Sequence, residues 1–332
     1  MAISEIQYSL RAIESNRTVY EAANFDGRAD TIDFIEFHIL HRLEGLLQQT
    51  GPISELMQLQ QQAEQAKNNL ERIDSSMFHQ LREEIKEGRY RGAAFLKLLH
   101  SYVRDTMETA GRSDNPGYDN LDVFVNGLLT NDAIPAVQIR HDPEMVFYQK
   151  TPVRIILEMC AQGEFKAEDV FFDIGSGLGQ AVLLVHLLCG VSARGIEYEP
   201  AYCKYAQNSA SKLKLKNVTF IQADARGIDY SEGTIFFMYT PFEGAMLQEM
   251  LDKLQNEAQK RAIRIFTYGP CSATVARQSW LRLIKGNTAC PDQLCQYTSQ
   301  SHPPLHSAAT LRHAPSIHYP HNSNTRKTHS PT

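Results

Sequence analysis

Phe-Phe-Asp-Ile-Gly-Ser-Gly-Leu-Gly-Gln, residues 171–180, encodes three kinds of backbone in ten positions. Val170, Phe171 and Phe172 read as the end of a buried strand, and Asp173 stands where that strand stops. Gly175, Gly177 and Gly179 follow at every second position. From Gln180 the chain runs on as Ala-Val-Leu-Leu-Val-His-Leu-Leu, an apolar helix. Strand, glycine turn and helix bring backbone close to a ligand and aim helix N–H groups at it. In an open parallel sheet, ligands bind at this carboxyl edge, near the switch in strand order.

The glycine spacing separates two cofactor classes. A dinucleotide site has G-x-G-x-x-G with a pyrophosphate on the helix N-terminus. Here the run is G-x-G-x-G, and Asp173 precedes the first glycine by two residues. A carboxylate there repels a pyrophosphate and suits a ligand carrying an ammonium and a sulfonium, which argues against a nicotinamide dehydrogenase. The stretch resembles motif I of the class I S-adenosylmethionine (SAM)-dependent methyltransferases. Ala193-Arg-Gly-Ile-Glu197 ends the next strand in an acid, 22 residues after Gly175. The resemblance implies that Glu197 takes the ribose hydroxyls.

Length and composition set the bounds. The 332 residues leave room for one large domain or two ordinary ones. With 33 basic and 38 acidic residues there is no overall basic footprint for nucleic acid. No apolar run approaches the roughly 20 residues of a membrane span, and the N-terminus lacks an apolar signal core. Cys160, Cys189, Cys203, Cys271, Cys290 and Cys295 are scattered without a disulfide framework, which fits a reducing compartment and a cytoplasmic location.

The chain before the motif reads as helices. Thr31 is placed to cap Ile32–Leu47, which Gly51-Pro52 stops, and Ile53 to about Lys86 is a second, Gln- and Glu-rich helix. Such a hairpin packs on itself or on the next domain, and the sharper alternative is an arm that binds a partner or dimerises. Gly92–Val103 is a further helix. Residues 104–144 read as a connector long enough to be a lid or a substrate-side insertion. The expected organisation is a helical region at 1–103, this connector, a methyltransferase domain at 145–285 and a tail at 286–332.

Tyr148-Gln-Lys-Thr151 precedes a helix at Val153–Cys160, with Thr151 as its candidate N-cap. A Y-x-x-T turn before Asp-Ile-Gly-Ser-Gly-Leu-Gly-Gln resembles the non-SET histone lysine methyltransferases over about residues 145–285. That resemblance implies that Tyr148 and Thr151 close over the methionine end of SAM. It also implies that Ser176, Gly179 and Gln180 shape the loop beneath it. Asn217–Asp224 is a third strand, and Asp224 stands where such enzymes place an acceptor for the adenine amino group. Thr234–Phe242, running into the turn from Tyr239, and Arg264–Tyr268 are a fourth and a fifth, so the fold class is α/β, a doubly wound parallel sheet. The final antiparallel hairpin of that fold is not evident. Ala273–Ile284 reads as a helix, and the residues from Gly286 contain no Glu and show no periodicity, so they are expected to be disordered.

Methyl transfer needs alignment and desolvation, and it needs no metal. Amino-methyltransferases commonly end the fourth strand with Asn- or Asp-Pro-Pro-aromatic. Here the turn is Tyr239-Thr-Pro-Phe242, so the amide or acid that would accept from an amine is missing. Tyr239 and Phe242 are the acceptor-side candidates, with plain packing the alternative for Phe242. His186 reads as a satisfied core histidine. Cys290, Cys295, His302 and His306 lack the spacing of a zinc finger. The sequence expectation is a SAM-dependent methyltransferase of unknown acceptor, a protein lysine among the candidates. Its alternatives are a small-molecule methyltransferase and a SAM-binding module without turnover.

Overall fold

The computed structural model describes residues 2–103, 118–130, 133–140 and 142–300. The N-terminal helices are α1 (Ala2–Ser15), α2 (Phe25–Asp33), a π-helical stretch (Phe34–Leu40) that runs straight into α3 (His41–Thr50), and α4 (Ser54–Lys86). The first long helix thus starts seven residues earlier than its apolar spacing predicts. Asn24 caps it by accepting the Gly27 N–H at 3.2 Å. Thr31 lies inside the helix and bonds back to the Gly27 carbonyl, an interior role that a helical threonine can take in place of capping.

α4 is 33 residues long, roughly 50 Å, and it belongs to two hydrophobic cores. Leu56, Leu59, Ala63, Ala66 and Leu70 pack with α1, the π stretch and α3. Met77, Phe78, Leu81 and Ile85 join a larger core that extends to the sheet. Between the two sets, Asp74 pairs with Arg28 at 2.6 Å. Arg28 is fully buried and also donates to the carbonyls of Val19, Glu21, Ala22 and Asn24.

α5 (Ala93–Tyr102) and α6 (Asn120–Leu129) add to the larger core through Phe95, Leu99, Phe124 and Leu128. Asp119 and Asp122 form a reciprocal capping box at the start of α6. The other oxygen of Asp122 accepts the Val153 N–H at 2.9 Å, the first residue of α7 (Val153–Gln162). The cap expected from Thr151 is therefore supplied across space by Asp122. Part of the expected connector is thus α6, a core helix. Residues 104–117 lie outside the described residues.

The sheet follows as β1 (Val170–Ile174), α8 (Gln180–Cys189), β2 (Ser192–Glu197), α9 (Pro200–Lys212), β3 (Val218–Gln222), β4 (Ile235–Tyr239), α10 (Gly244–Ala258), β5 (Arg264–Tyr268), α11 (Cys271–Val275), β6 (Leu281–Lys285) and β7 (Cys295–Ser299). Its order is β3-β2-β1-β4-β5-β7-β6, with β1 to β5 parallel and the switch point between β1 and β4. β7 runs antiparallel between β5 and β6. This corrects three sequence expectations. The final hairpin is present, and residues 286–300 belong to the sheet and its loop, so the expected disordered tail begins too early. The helix at Ala273–Ile284 shrinks to α11, and its second half is β6. Residues 301–332 lie outside the described residues.

Candidate active site

Motif I is anchored on β2. The N–H groups of Gly175 and Ser176 both donate to the Ile196 carbonyl at 2.9 Å, and Gly179 closes the turn on Ser176 at 2.8 Å. Two of the glycines are required by close approach as well as by positive φ. A β-carbon on Gly175 would sit 2.5 Å from the Cβ of Pro241, and one on Gly177 would sit 2.0 Å from the Tyr148 ring. The turn thus lies between the loop before α7 and the turn after β4.

Those two segments are tied to each other. Met145 and Phe242 form an antiparallel bridge, and the Val146 N–H donates to the Pro241 carbonyl at 3.1 Å. Glu144 accepts the Met246 N–H at 2.8 Å, which caps α10 near its start. With the strand ends they enclose one cleft, lined by Met145 to Gln149, Thr151, motif I, the ends of β2 and β3, and Tyr239 to Phe242.

Sequence reasoning placed Tyr148, Thr151, Asp173, Gly175, Ser176, Gln180, Glu197, Asp224, Tyr239 and Phe242 at the site. All of them line this cleft. Gly177 is under the Tyr148 ring, and Gly179 turns the chain into α8. Asp173 is buried between β2 and β4, and burial followed by the Glu197 charge pushes its carboxyl up to about 8. Tyr148 is tilted against Tyr202, 5.3 Å between ring centres, and burial raises its phenol.

Two acids do more than the motif implies. Glu197 accepts the Gly177 N–H at 2.6 Å with one oxygen and the Glu199 N–H at 2.7 Å with the other. It therefore holds the glycine turn against β2. Asp224 accepts the Arg226 N–H at 2.9 Å and grips its guanidinium with both oxygens, the nearest contact at 2.8 Å. That bond to Arg226 holds the Asp224 carboxyl below its ordinary range.

On the acceptor side, Tyr239 donates its hydroxyl to Gln149 Oε1 at 3.0 Å and leans on Tyr268, 4.8 Å between rings. Thr240 has φ 37° and turns inward, donating to the Tyr268 carbonyl and accepting the Cys271 N–H, both at 3.2 Å. Phe242 is buried beside Met246 in a third core, with Phe236 and Met250, and also lines the cleft. Burial first, then the Asp292 charge on the loop before β7, raises the Tyr239 phenol. His186 lies outside the cleft, buried on α8 with Nδ1 2.8 Å from the Val191 carbonyl.

Sequence reasoning missed Gln149, Glu144 and Asp122. None sits in a glycine motif or at a strand end. The only signal was their closeness to the Y-x-x-T turn and to a helix start.

Two observations test whether a SAM-like group suits these residues. Among the described residues, four buried side-chain polar atoms lack a hydrogen-bond partner, and three of them are Ser176 Oγ and the Nε2 and Oε1 of Gln180. Leaving such groups unpaired costs about 1–3 kcal/mol each, which a polar ligand in the cleft would recover. The described lining residues include three acids, Asp173, Glu197 and Asp224, and no Lys, Arg or His. That charge set fits an ammonium and a sulfonium and opposes a pyrophosphate.

The family described as histone methylation protein DOT1 matches residues 144–236, from the Glu144 cap to the middle of β4. No curated protein matches the chain at a significant level. Among solved structures, an RNA methyltransferase from Salinibacter ruber in complex with S-adenosyl-L-homocysteine is 22% identical, over 47% of this chain and 97% of its own, with a TM-score of 0.37. A precorrin-6y C5,15-methyltransferase from Geobacter metallireducens is 16% identical over 48% and 96%, with a TM-score of 0.36. A SAM-dependent methyltransferase from Aquifex aeolicus is 17% identical over 45% and 93%, with a TM-score of 0.35. Likeness at this level says nothing of an acceptor. By its strand order, its motif I turn and the family match that spans that turn, the chain carries the fold of the class I SAM-dependent methyltransferases.

Proposed function

We propose that this chain transfers a methyl group from SAM to an amine acceptor. The matched family is described by histone methylation, so a protein amine is the acceptor class put first. The observation that carries the reading is the charge of the cleft, with three acids on its lining and no basic side chain among the described residues. When bound, SAM supplies a methyl on a positively charged sulfur, which an acceptor lone pair displaces.

The residues divide the work by position. Asp173 faces the ammonium, and Ser176 and Gln180 supply the polar atoms that otherwise stay unpaired. Glu197 takes the ribose hydroxyls from the same strand end at which it holds Gly177 and Glu199. Asp224, steadied by Arg226, takes the adenine end. Tyr148 and Thr151 close the methionine end, while Tyr239 and Phe242 wall the acceptor side and keep water out.

Calorimetry with SAM and S-adenosylhomocysteine tests the cofactor, and absence of heat with either on folded protein overturns the reading. Radiolabelled SAM with fractionated lysate then tests turnover, with label expected in protein. The inward Thr240 favours a second reading, a SAM-binding module without turnover. Binding without transfer of label to protein, nucleic acid or small molecules decides for it.

A further inference from the structure

The turn after β4 carries no amide or acid where an amine would need one, yet the cleft contains such a group from another segment. In the turn before α7, Tyr148 lies on Gly177 and Tyr202, and Lys150 turns away to Asn126 Oδ1 at 2.9 Å. Gln149, between them, reaches across to the end of β4, where its Oε1 accepts the Tyr239 hydroxyl at 3.0 Å. β1 and β4 are neighbours, so the motif I turn and the Tyr239–Gln149 pair flank one opening at the switch point. Both side chains line the cleft.

We infer that Gln149 is the acceptor-binding residue, supplying from the loop before α7 the carbonyl oxygen that the β4 turn lacks. This assignment rests on the SAM reading above. An amide oxygen has two lone pairs. Tyr239 occupies one and fixes the amide plane, which leaves the other for an N–H of the acceptor. An amine held this way points its own lone pair at the methyl. That pair forms the new nitrogen–carbon bond, and the carbon–sulfur bond breaks with its electrons left on sulfur. Nitrogen takes the positive charge and then releases its proton to water. Gln149 stabilises the nitrogen as it becomes positive and removes no proton. Asp292 raises the Tyr239 phenol next after burial, and the Tyr268 phenol after burial and Tyr239, so its charge acts on this aromatic pair.

Sinefungin tests this without knowledge of the natural acceptor, because an amine-bearing carbon replaces its methylsulfonium. Its affinity relative to S-adenosylhomocysteine reads the environment of an amine at the transfer position. In the wild-type chain sinefungin should bind about tenfold more tightly, as expected for one hydrogen bond to a charged donor. Gln149→Leu should bring the ratio close to one, and Gln149→Glu should restore or exceed the wild-type ratio. A wild-type ratio of one overturns the assignment. So does a ratio that Gln149→Leu leaves unchanged, including the case in which both ligands weaken together, which would mark Gln149 as merely structural. Failure of both ligands to bind the wild-type chain overturns the SAM reading, and this assignment with it.

Discussion

At the scale of single residues, Asp173 and Glu197 make opposite demands on the ligand-free site. Asp173 titrates at about 8 because it is buried beside another acid, far above its ordinary value of 3.8. The folded chain therefore binds more protons than the unfolded one between those values, and the stability this group contributes falls as pH rises from about 4 to 8. A cationic ligand reverses the preference by favouring the carboxylate. SAM should bind more tightly as pH rises from 6 to 7.5 and should release close to one proton at pH 7. Calorimetry in buffers of different ionisation enthalpy measures that release, and Asp173→Asn should abolish it. Glu197→Ala leaves two backbone N–H groups unpaired, at about 1–3 kcal/mol each. It should therefore lower the melting temperature without ligand as well as weakening S-adenosylhomocysteine ten- to a hundredfold. An unchanged melting temperature would show that the glycine turn holds itself. These two acids were legible because each ends a strand at the carboxyl edge of a parallel sheet. The Arg226 grip on Asp224 was not, since a charge pair two residues apart leaves no mark on apolar periodicity. Gln149 was equally silent, because its partner Tyr239 lies 90 residues away.

At the scale of elements, the parallel half of the sheet could be read from sequence and the antiparallel half could not. β1, β4 and β5 are largely apolar runs, and β2 and β3 end at an acid or just before one, whereas β6 exposes all but Leu281 and carries Arg282 and Lys285 at the sheet edge. Edge strands are commonly kept short, charged and bulged, which erases the signal by which strands are recognised. β7 does alternate, with Cys295 and Tyr297 fully buried, but it follows a polar loop. Tyr297 donates to the Ser272 carbonyl at 2.9 Å beneath α11. Tyr297→Ala should cost about 3–5 kcal/mol in chemical denaturation, as expected for a large aromatic truncated in a core. A chain ending at Lys285 should fail to give a cooperative transition, because β5 would lose its neighbour. Asp122 joins α6 to α7 by capping both, so Asp122→Ala should cost about 2 kcal/mol by loss of two caps. A loss below 0.5 kcal/mol would show that packing alone fixes the two helices.

At the scale of the whole molecule, the helical region and the sheet are not separate bodies. The larger core runs without a break from Phe25 and Phe78 through Phe124 and Leu157 to Phe171 and Phe237. A chain beginning at residue 145 should therefore expose Val182 and Leu183 on α8 and aggregate, which light scattering on the purified fragment would detect. α4 has a different consequence, because its two halves answer to different cores. Among the described residues, the smaller one contains twelve buried hydrophobic residues against forty in the larger. Protection from solvent exchange follows the core that must open. Deuterium uptake along this one helix should then fall in two tiers, with the amides of 58–70 exchanging faster than those of 77–85. The step should come at the Arg28–Asp74 pair, where the helix passes from one core to the other. A single rate from end to end would mean that the two cores open as one.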